Sequence, residues 1–422
     1  MKLSHLQLKN YKGFDDTSLA FHQKNTVIFG VNGQGKSSVL SAICQLCYPW
    51  IASLNPTQGT KYQAISKEMV KNGKRQLSLS AVFQIEGDDF PLALSYQRKT
   101  EETLWDSATY EAFIAHFSKN YLDESGNMPL FANYGTNRSV TTFQVAVDPN
   151  FTTQKLHALD NCLDNELNYT MFFEWYCNME HREQQQKKAT KNDSHQDKTL
   201  SCVRYAIEQM LGEVKDLQIK HKPLRMVVTK GENELRVDQL SDGEKCVLAL
   251  FSDIARRLAL ANPSLENPLE GTGLVLIDEI ELHMHPLWQR KIMTTLKTVF
   301  PNLQFIVSTH SPQVLSELDD SFTIYKLDMD ENGLNTAIDI DRMDGFDVAH
   351  ILEEYMGTTS KNPIYQALLD SAYDAIDENE FALAQNILER IADITSENSS
   401  DYIALHGTWK RRKFLHDRNQ KG

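Results

Sequence analysis

The segment GVNGQGKSS, from Gly30 to Ser38, has the residue types and spacing to hold a chain of phosphates. Gly30, Gly33 and Gly35 keep Cβ atoms out of a turn whose backbone N–H groups must close on an anion. Lys36 supplies a cation for the outer phosphates, and the Ser37 hydroxyl can ligate a divalent metal. Asn32 and Ser38 complete the candidate contacts, and the helix that follows adds its N-terminal partial charge. A second candidate is GLVLIDE, an apolar run that ends in Asp278 and Glu279. Strand neighbours point to opposite sides, so Asp278 can serve a metal while Glu279 polarises a water. His310 closes the run LQFIVSTH and is placed to sense a terminal phosphate. A third segment, QLSDGEK, presents Ser241, Gly243 and Glu244 at what reads as a capped helix start. Far from the phosphate loop in sequence, it repeats the chemistry of a helix N-terminus.

Other spacings carry less. His283 and His285 form an H-x-H without a nearby third ligand, which favours a loop that shapes an interface between two copies over a metal site. Asp328 and Asp330 in LDMDENG read as a hairpin turn.

These residues need a scaffold. LSHLQLKNYKGF and NTVIFG read as the first two strands, and the second runs into the glycine-rich loop and a helix. QLSLSAVFQIEG and FPLALSYQRK read as a hairpin. MPLFANYGTNRSV holds a short strand. Residues 155–215 turn helical, with LNYTMFFEWYCNMEHREQQQKK the strongest stretch. Strands return in LQIKHKPLRMVVTKGENELRVDQL. Val247, Leu250, Phe251, Ile254 and Leu258 then mark one apolar helix stripe. GLVLIDE and LQFIVSTH, with a helix between them, predict a βαβ unit of buried parallel strands. SFTIYKLDMDENGLNTAIDI predicts a terminal hairpin, and helices fill the chain from about residue 362. The expected divisions are 1–154, 155–215, 216–345 and 346–422.

The chain has 422 residues, 41% hydrophobic and 24% charged, as in ordinary globular proteins. A net charge of −14 excludes a surface that is basic throughout. DNA contact would need local patches, HREQQQKKATK or WKRRKFLHDRNQKG. No apolar run is expected to span a bilayer, and no export signal is read, so the expected compartment is the cytoplasm. Cys44 and Cys47, three apart in an apolar helix, are expected to be buried thiols.

In chain order, the phosphate loop, LSDGEK, the Asp278–Glu279 strand end and STHSP resemble the Walker A, signature, Walker B and switch-histidine motifs of the ABC-type ATPases. The resemblance implies an α/β fold: an ABC-type ATPase head with a P-loop parallel sheet core and an antiparallel β subdomain. A helical insert and a C-terminal all-helical extension would be added to it. ATP and Mg²⁺ are the implied ligands, with Ser37 and Asp278 on the metal and Glu279 and His310 catalytic. Family members pack head to tail, which implies a homodimer or higher oligomer in which Ser241, Gly243 and Glu244 serve a nucleotide held by a second copy. Asp242 stands where relatives often carry glycine. Gln144 is the candidate Q-loop glutamine.

LQLKNYKGFDD and VNGQGKSSVLSAI look like the RecF/SMC-type branch, which lacks membrane partners. Within it, YGTNRS, FFEWYCNMEHRE, IDEIELHMHP and STHSPQVL resemble the ATPase subunits of Septu anti-phage systems, also found with some retrons. That resemblance implies a regulatory ATPase beside a separate HNH-type nuclease. This chain shows no H-N-H cluster, and the span after its D-x-D reads as helical without an early glutamate, so no nuclease centre is expected in it. The rival readings are a DNA repair or recombination ATPase and, less favoured by the long insert, a transporter subunit.

Overall fold

The computed structural model describes residues 1–54, 64–123, 125–138, 148, 151–167, 169–221, 224–358 and 361–420. Gln144 lies outside the described residues. Two compact units form, Met1–Phe346 and Asp347–Gly422.

The first unit is organised by a six-stranded sheet in the order β14-β13-β3-β12-β11-β7. These strands are β3 (Asn25–Phe29), β7 (Leu130–Tyr134), β11 (Gly273–Ile277), β12 (Leu303–Thr309), β13 (Phe322–Met329) and β14 (Asn335–Ile340). All neighbouring pairs are parallel except β13 with β14. Every residue of β11 and β12 is buried, as expected of parallel strands covered on both faces. Helix α6 (Pro286–Val299) joins them, so the expected βαβ unit is present. The hairpin SFTIYKLDMDENGLNTAIDI also forms, but its first strand joins the main sheet beside β3.

Beside this sheet stands an antiparallel one, β2-β1-β4-β5-β6. Its strands are β1 (Lys2–Tyr11), β2 (Phe14–Ala20), β4 (Gln76–Ile85), β5 (Asp88–Gln97) and β6 (Glu102–Trp105). LSHLQLKNYKGF predicts one strand running through KGF. The chain instead reverses at Lys12, which takes φ 50°, and β2 returns along β1.

Helix α1 (Lys36–Leu54) leaves the phosphate loop. By length and composition alone it could cross a membrane, contrary to the sequence expectation. Its apolar surface is used inside the protein. Trp50 is fully buried, with ring centroids 5.4, 5.2 and 6.3 Å from Phe113 and Phe117 of α2 (Ser107–Tyr121) and Phe131 of β7. Burial of one such side chain is worth about 1.5–3 kcal/mol. Cys44 and Cys47 are buried and unpaired, and burial pushes both thiols well up.

Helices α3 (Tyr169–Thr190) and α4 (Lys198–Leu211) precede a three-stranded sheet, β10-β9-β8, of β8 (Val214–His221), β9 (Leu224–Lys230) and β10 (Asn233–Arg236). Both helices pack on α5 (Asp242–Ala261). The predicted single stripe on α5 is too narrow a reading. From Cys246 to Ala261 every residue is buried, including Asp253, Arg256 and Arg257. The helix runs through the middle of the unit, so its polar residues must pair internally. Asp253 accepts from both guanidiniums at 2.6 Å and from Tyr134 Oη at 2.9 Å. Burial alone would raise its carboxyl, but the two guanidiniums hold it far below the carboxylate range.

In the second unit, a short turn α8 (Val348–His350) precedes α9 (Pro363–Asp377), α10 (Phe381–Ile394) and α11 (Ser400–Gln420). Leu369, Ala372 and Ile376 pack with Ile387, Leu388, Ile391 and Leu405 in a small core of its own.

Candidate nucleotide site

The phosphate loop sits between β3 and α1, at the C-terminal ends of the parallel strands, where open α/β sheets place ligands. Gly30, Gly33 and Gly35 all have positive φ, at 151°, 85° and 93°. A Cβ on Gly30 would lie 2.4 Å from Leu327 O, and one on Gly35 would lie 2.8 Å from the Phe14 ring. These two glycines are therefore fixed by their own walls, while the tip at Asn32 and Gly33 is exposed. Lys36 is 5% exposed, and its ammonium donates to Gly30 O at 2.9 Å and Val31 O at 3.1 Å. Burial lowers its pKa, opposed by the charges of Asp278, Glu279 and Glu281. Ser37 is exposed, and the Ser38 N–H returns to Gly35 O.

The carboxylates arrive from β11. Asp278 accepts from the Ser308 hydroxyl, and Ser308 Oγ accepts from the Glu279 N–H at 2.8 Å. Glu281 takes the Thr309 hydroxyl at 2.7 Å and the His310 N–H at 2.5 Å. The loop after β11 is thus stapled to the end of β12, and His310 is carried to the same place as Lys36. Burial first, and then Lys36, lowers the His310 pKa, against the raising effect of Glu281, Glu279 and Asp278.

Ser241, Gly243 and Glu244 sit elsewhere. Ser241 caps α5 in a capping box: the Glu244 N–H donates to Ser241 Oγ at 3.3 Å and the Ser241 N–H to Glu244 Oε2 at 2.9 Å. The other Glu244 oxygen accepts from Lys230 of β9 at 2.6 Å. Gly243 lies on the His283 carbonyl, only 2.4 Å from where its Cβ would be. These residues line a cleft of roughly 840 Å³ with His283, His285, Leu287, Trp288 and Lys291, and no residue of the phosphate loop lines it. His285 caps α6, its Nδ1 accepting from the Leu287 N–H at 3.3 Å.

Sequence reasoning missed several residues that shape the site. Ser308 and Glu281 were legible only as neighbours of His310 and Glu279. Gln34 bridges the loop to β13, accepting from the Val31 N–H at 2.6 Å and donating to Asp328 at 3.1 Å. Of the D-x-D pair, Asp330 does build the hairpin turn, accepting from the N–H groups of Asn332 and Leu334. Asp328 faces the phosphate loop instead. The basic run of α3 is partly spent inside the fold: Arg182 donates to Phe151 O, and Lys187 lies 3.7 Å from Glu183.

A glycine cradle closed to side chains, a buried lysine, an exposed serine hydroxyl and a carboxylate facing that lysine are the donor set that a nucleotide triphosphate with a divalent cation requires.

The chain is similar to known proteins. Two family models, both described as AAA domain, match residues 5–222 and 177–316; the description of the second also names AbiEii toxin and a Type IV TA system. The chain is 30% identical over 383 residues to the Retron Ec83 probable ATPase of Escherichia coli, covering 76% of this chain and 70% of that one. It is 22% identical to the Septu protein PtuA of Bacillus thuringiensis, over 90% of each. Among solved structures, the SMC head bound to the C-terminal winged-helix domain of ScpA superposes with a TM-score of 0.50 at 15% identity, covering 81% of this chain and 98% of that one. The fold is that of an SMC-type ATPase head, and the chain belongs to the AAA-domain ATPase family that includes the retron ATPases and resembles Septu PtuA.

Proposed function

We propose that the chain is the ATP-hydrolysing regulatory subunit of an anti-phage defence complex, and that ATP-dependent dimerisation lets it control a separate HNH-type nuclease. The observation that carries this reading is the separation of two half-sites. Lys36, Asp278, Glu279 and His310 converge, whereas Ser241, Gly243 and Glu244 face a cleft without the phosphate loop. A second copy, arranged head to tail, brings its signature tip to the nucleotide of the first. The kinship with retron and Septu proteins supports the defence setting.

Lys36 and the loop N–H groups bind the phosphates, with Asn32 and Ser38 beside them. Ser37 and Asp278 hold Mg²⁺, which supplies charge neutralisation at the phosphate oxygens when bound. Glu279 accepts the proton of the attacking water, and His310 donates to the terminal phosphate or the developing charge. The nuclease docks on the 346–422 region. That unit exposes Ile364, Ile394, Ile403 and Phe414, the last of these directly after the basic run Lys410–Lys413, and the nucleotide site uses none of them.

Light scattering of Glu279→Gln with ATP tests the reading. A dimer that needs ATP is expected; a monomer under every nucleotide condition overturns it. Deleting residues 362–422 should spare ATP binding and lose the nuclease. Turnover that DNA accelerates, with no nuclease bound by either chain, would favour the repair-type reading.

A further inference from the structure

The YGTNRS segment has no role in the nucleotide reading, yet its arginine reaches the catalytic strand end. Arg138 is 4% exposed and follows β7, the strand that flanks β11. Its Nε donates to Gly135 O at 2.8 Å, which fixes the guanidinium against its own turn. Its Nη2 donates to Asp278 O and, at 3.1 Å, to Glu279 O. One guanidinium therefore grips both carbonyls of the carboxylate pair.

Glu279 needs such a grip. Its φ is 48°, a left-handed conformation that a glutamate keeps only where the surroundings impose it. Ser308 Oγ takes its N–H from one side and Arg138 takes its C=O from the other. The backbone is clamped at both polar groups. The same guanidinium faces the Cys246 thiol near the start of α5, while Nη1 finds no hydrogen-bond acceptor among the described residues. A buried cation satisfied by carbonyls is a costly way to fill a core.

We propose that Arg138 is a positioning residue for ATP hydrolysis: it holds the Asp278–Glu279 backbone in the left-handed turn that presents the Glu279 carboxylate to the attacking water. This rests on Glu279 acting as the base.

The test compares wild type, Arg138→Lys and Arg138→Gln in the full chain, alone and combined with Glu279→Gln. Measured are single-turnover ATP hydrolysis, affinity for a fluorescent ATP analogue, and the melting temperature. Because small misplacements of catalytic groups cost about 10²-fold, turnover should fall by at least about tenfold while affinity stays within about threefold. In the Glu279→Gln background the Arg138 substitutions should cost nothing further, since both act on one step. Wild-type turnover in Arg138→Lys and Arg138→Gln overturns the proposal. So does an effect that adds to that of Glu279→Gln, or loss of folding in both variants, which would assign Arg138 to the core alone. A wild-type chain without turnover would sink the hydrolytic reading itself, and this outcome is distinct from active variants beside an active wild type.

Discussion

Two helix N-termini of this protein offer glycine, serine and an apolar run behind them, and they are built differently. At the start of α1 the loop is bent by three glycines with positive φ and walled by Leu327, Phe14 and Gln34. At the start of α5 the chain caps itself through Ser241 and Glu244, and Lys230 neutralises the cap. At the first N-terminus Lys36 and three carboxylates converge. The second is a finished helix start on an open cleft. On the proposed reading, similar residue types thus make a full phosphate site in one place and half a site in the other.

The sharpest way to break this contrast is Glu279→Gln, which should lower turnover by about 10²–10⁴-fold, the range of general-base contributions, without loss of ATP binding. Steady-state rates with a radiolabelled substrate check it. Ser241→Arg should come next: hydrolysis at saturating protein is lost, yet equilibrium ATP affinity of the dilute chain is unchanged. Lost affinity would place the α5 tip at its own chain's nucleotide and end the distinction.

Smaller effects sharpen it. Gly35→Ala forces a Cβ into the Phe14 ring at φ 93° and should cost roughly 1–3 kcal/mol of stability along with nucleotide binding. Chemical denaturation with and without ATP separates the two losses. Ser241→Ala removes only a cap, about 1 kcal/mol by the same measurement, with binding intact.

The smallest expected effect lies away from both tips. Burial raises the Glu180 carboxyl to about 7, opposed by the Ile219 N–H and Arg204. Glu183, three residues on, goes the other way: burial would raise it, but Arg204 and the Asp197 N–H outweigh that and lower it. Glu180 in the folded chain therefore binds a proton that the unfolded chain has released. Its contribution is full below the ordinary glutamate range and is lost as pH rises through about 7. The melting temperature of Glu180→Gln should fall less than that of wild type between acid and pH 8.

Much of this was legible in the chain. The phosphate loop, the strands around it, the βαβ unit and the signature cap followed from glycine spacing, apolar runs and cap chemistry, all of them local. The same local logic placed Asp278, Glu279 and His310 at strand ends. It failed where neighbours in space decide. Nothing in KNYKGF says that the chain reverses at Lys12, because a left-handed lysine carries no sequence signal. Nothing in LALFSDIARRLALA says that Asp253, Arg256 and Arg257 are buried, because their partners include Tyr134 and Ala158 O, far away along the chain.

The sequence by itself determined which residues can bind phosphate, cap a helix or end a buried strand, since those properties belong to a few adjacent residues. The tertiary structure alone decided which of them meet. It set Asp328 against Gln34 instead of leaving it in a turn, brought Arg138 under the Glu279 backbone, and kept Ser241 in a cleft away from Lys36. The physical reason is that hydrogen bonds and charges act over a few ångströms of space, and only the packed sheet says which distant residues are that close.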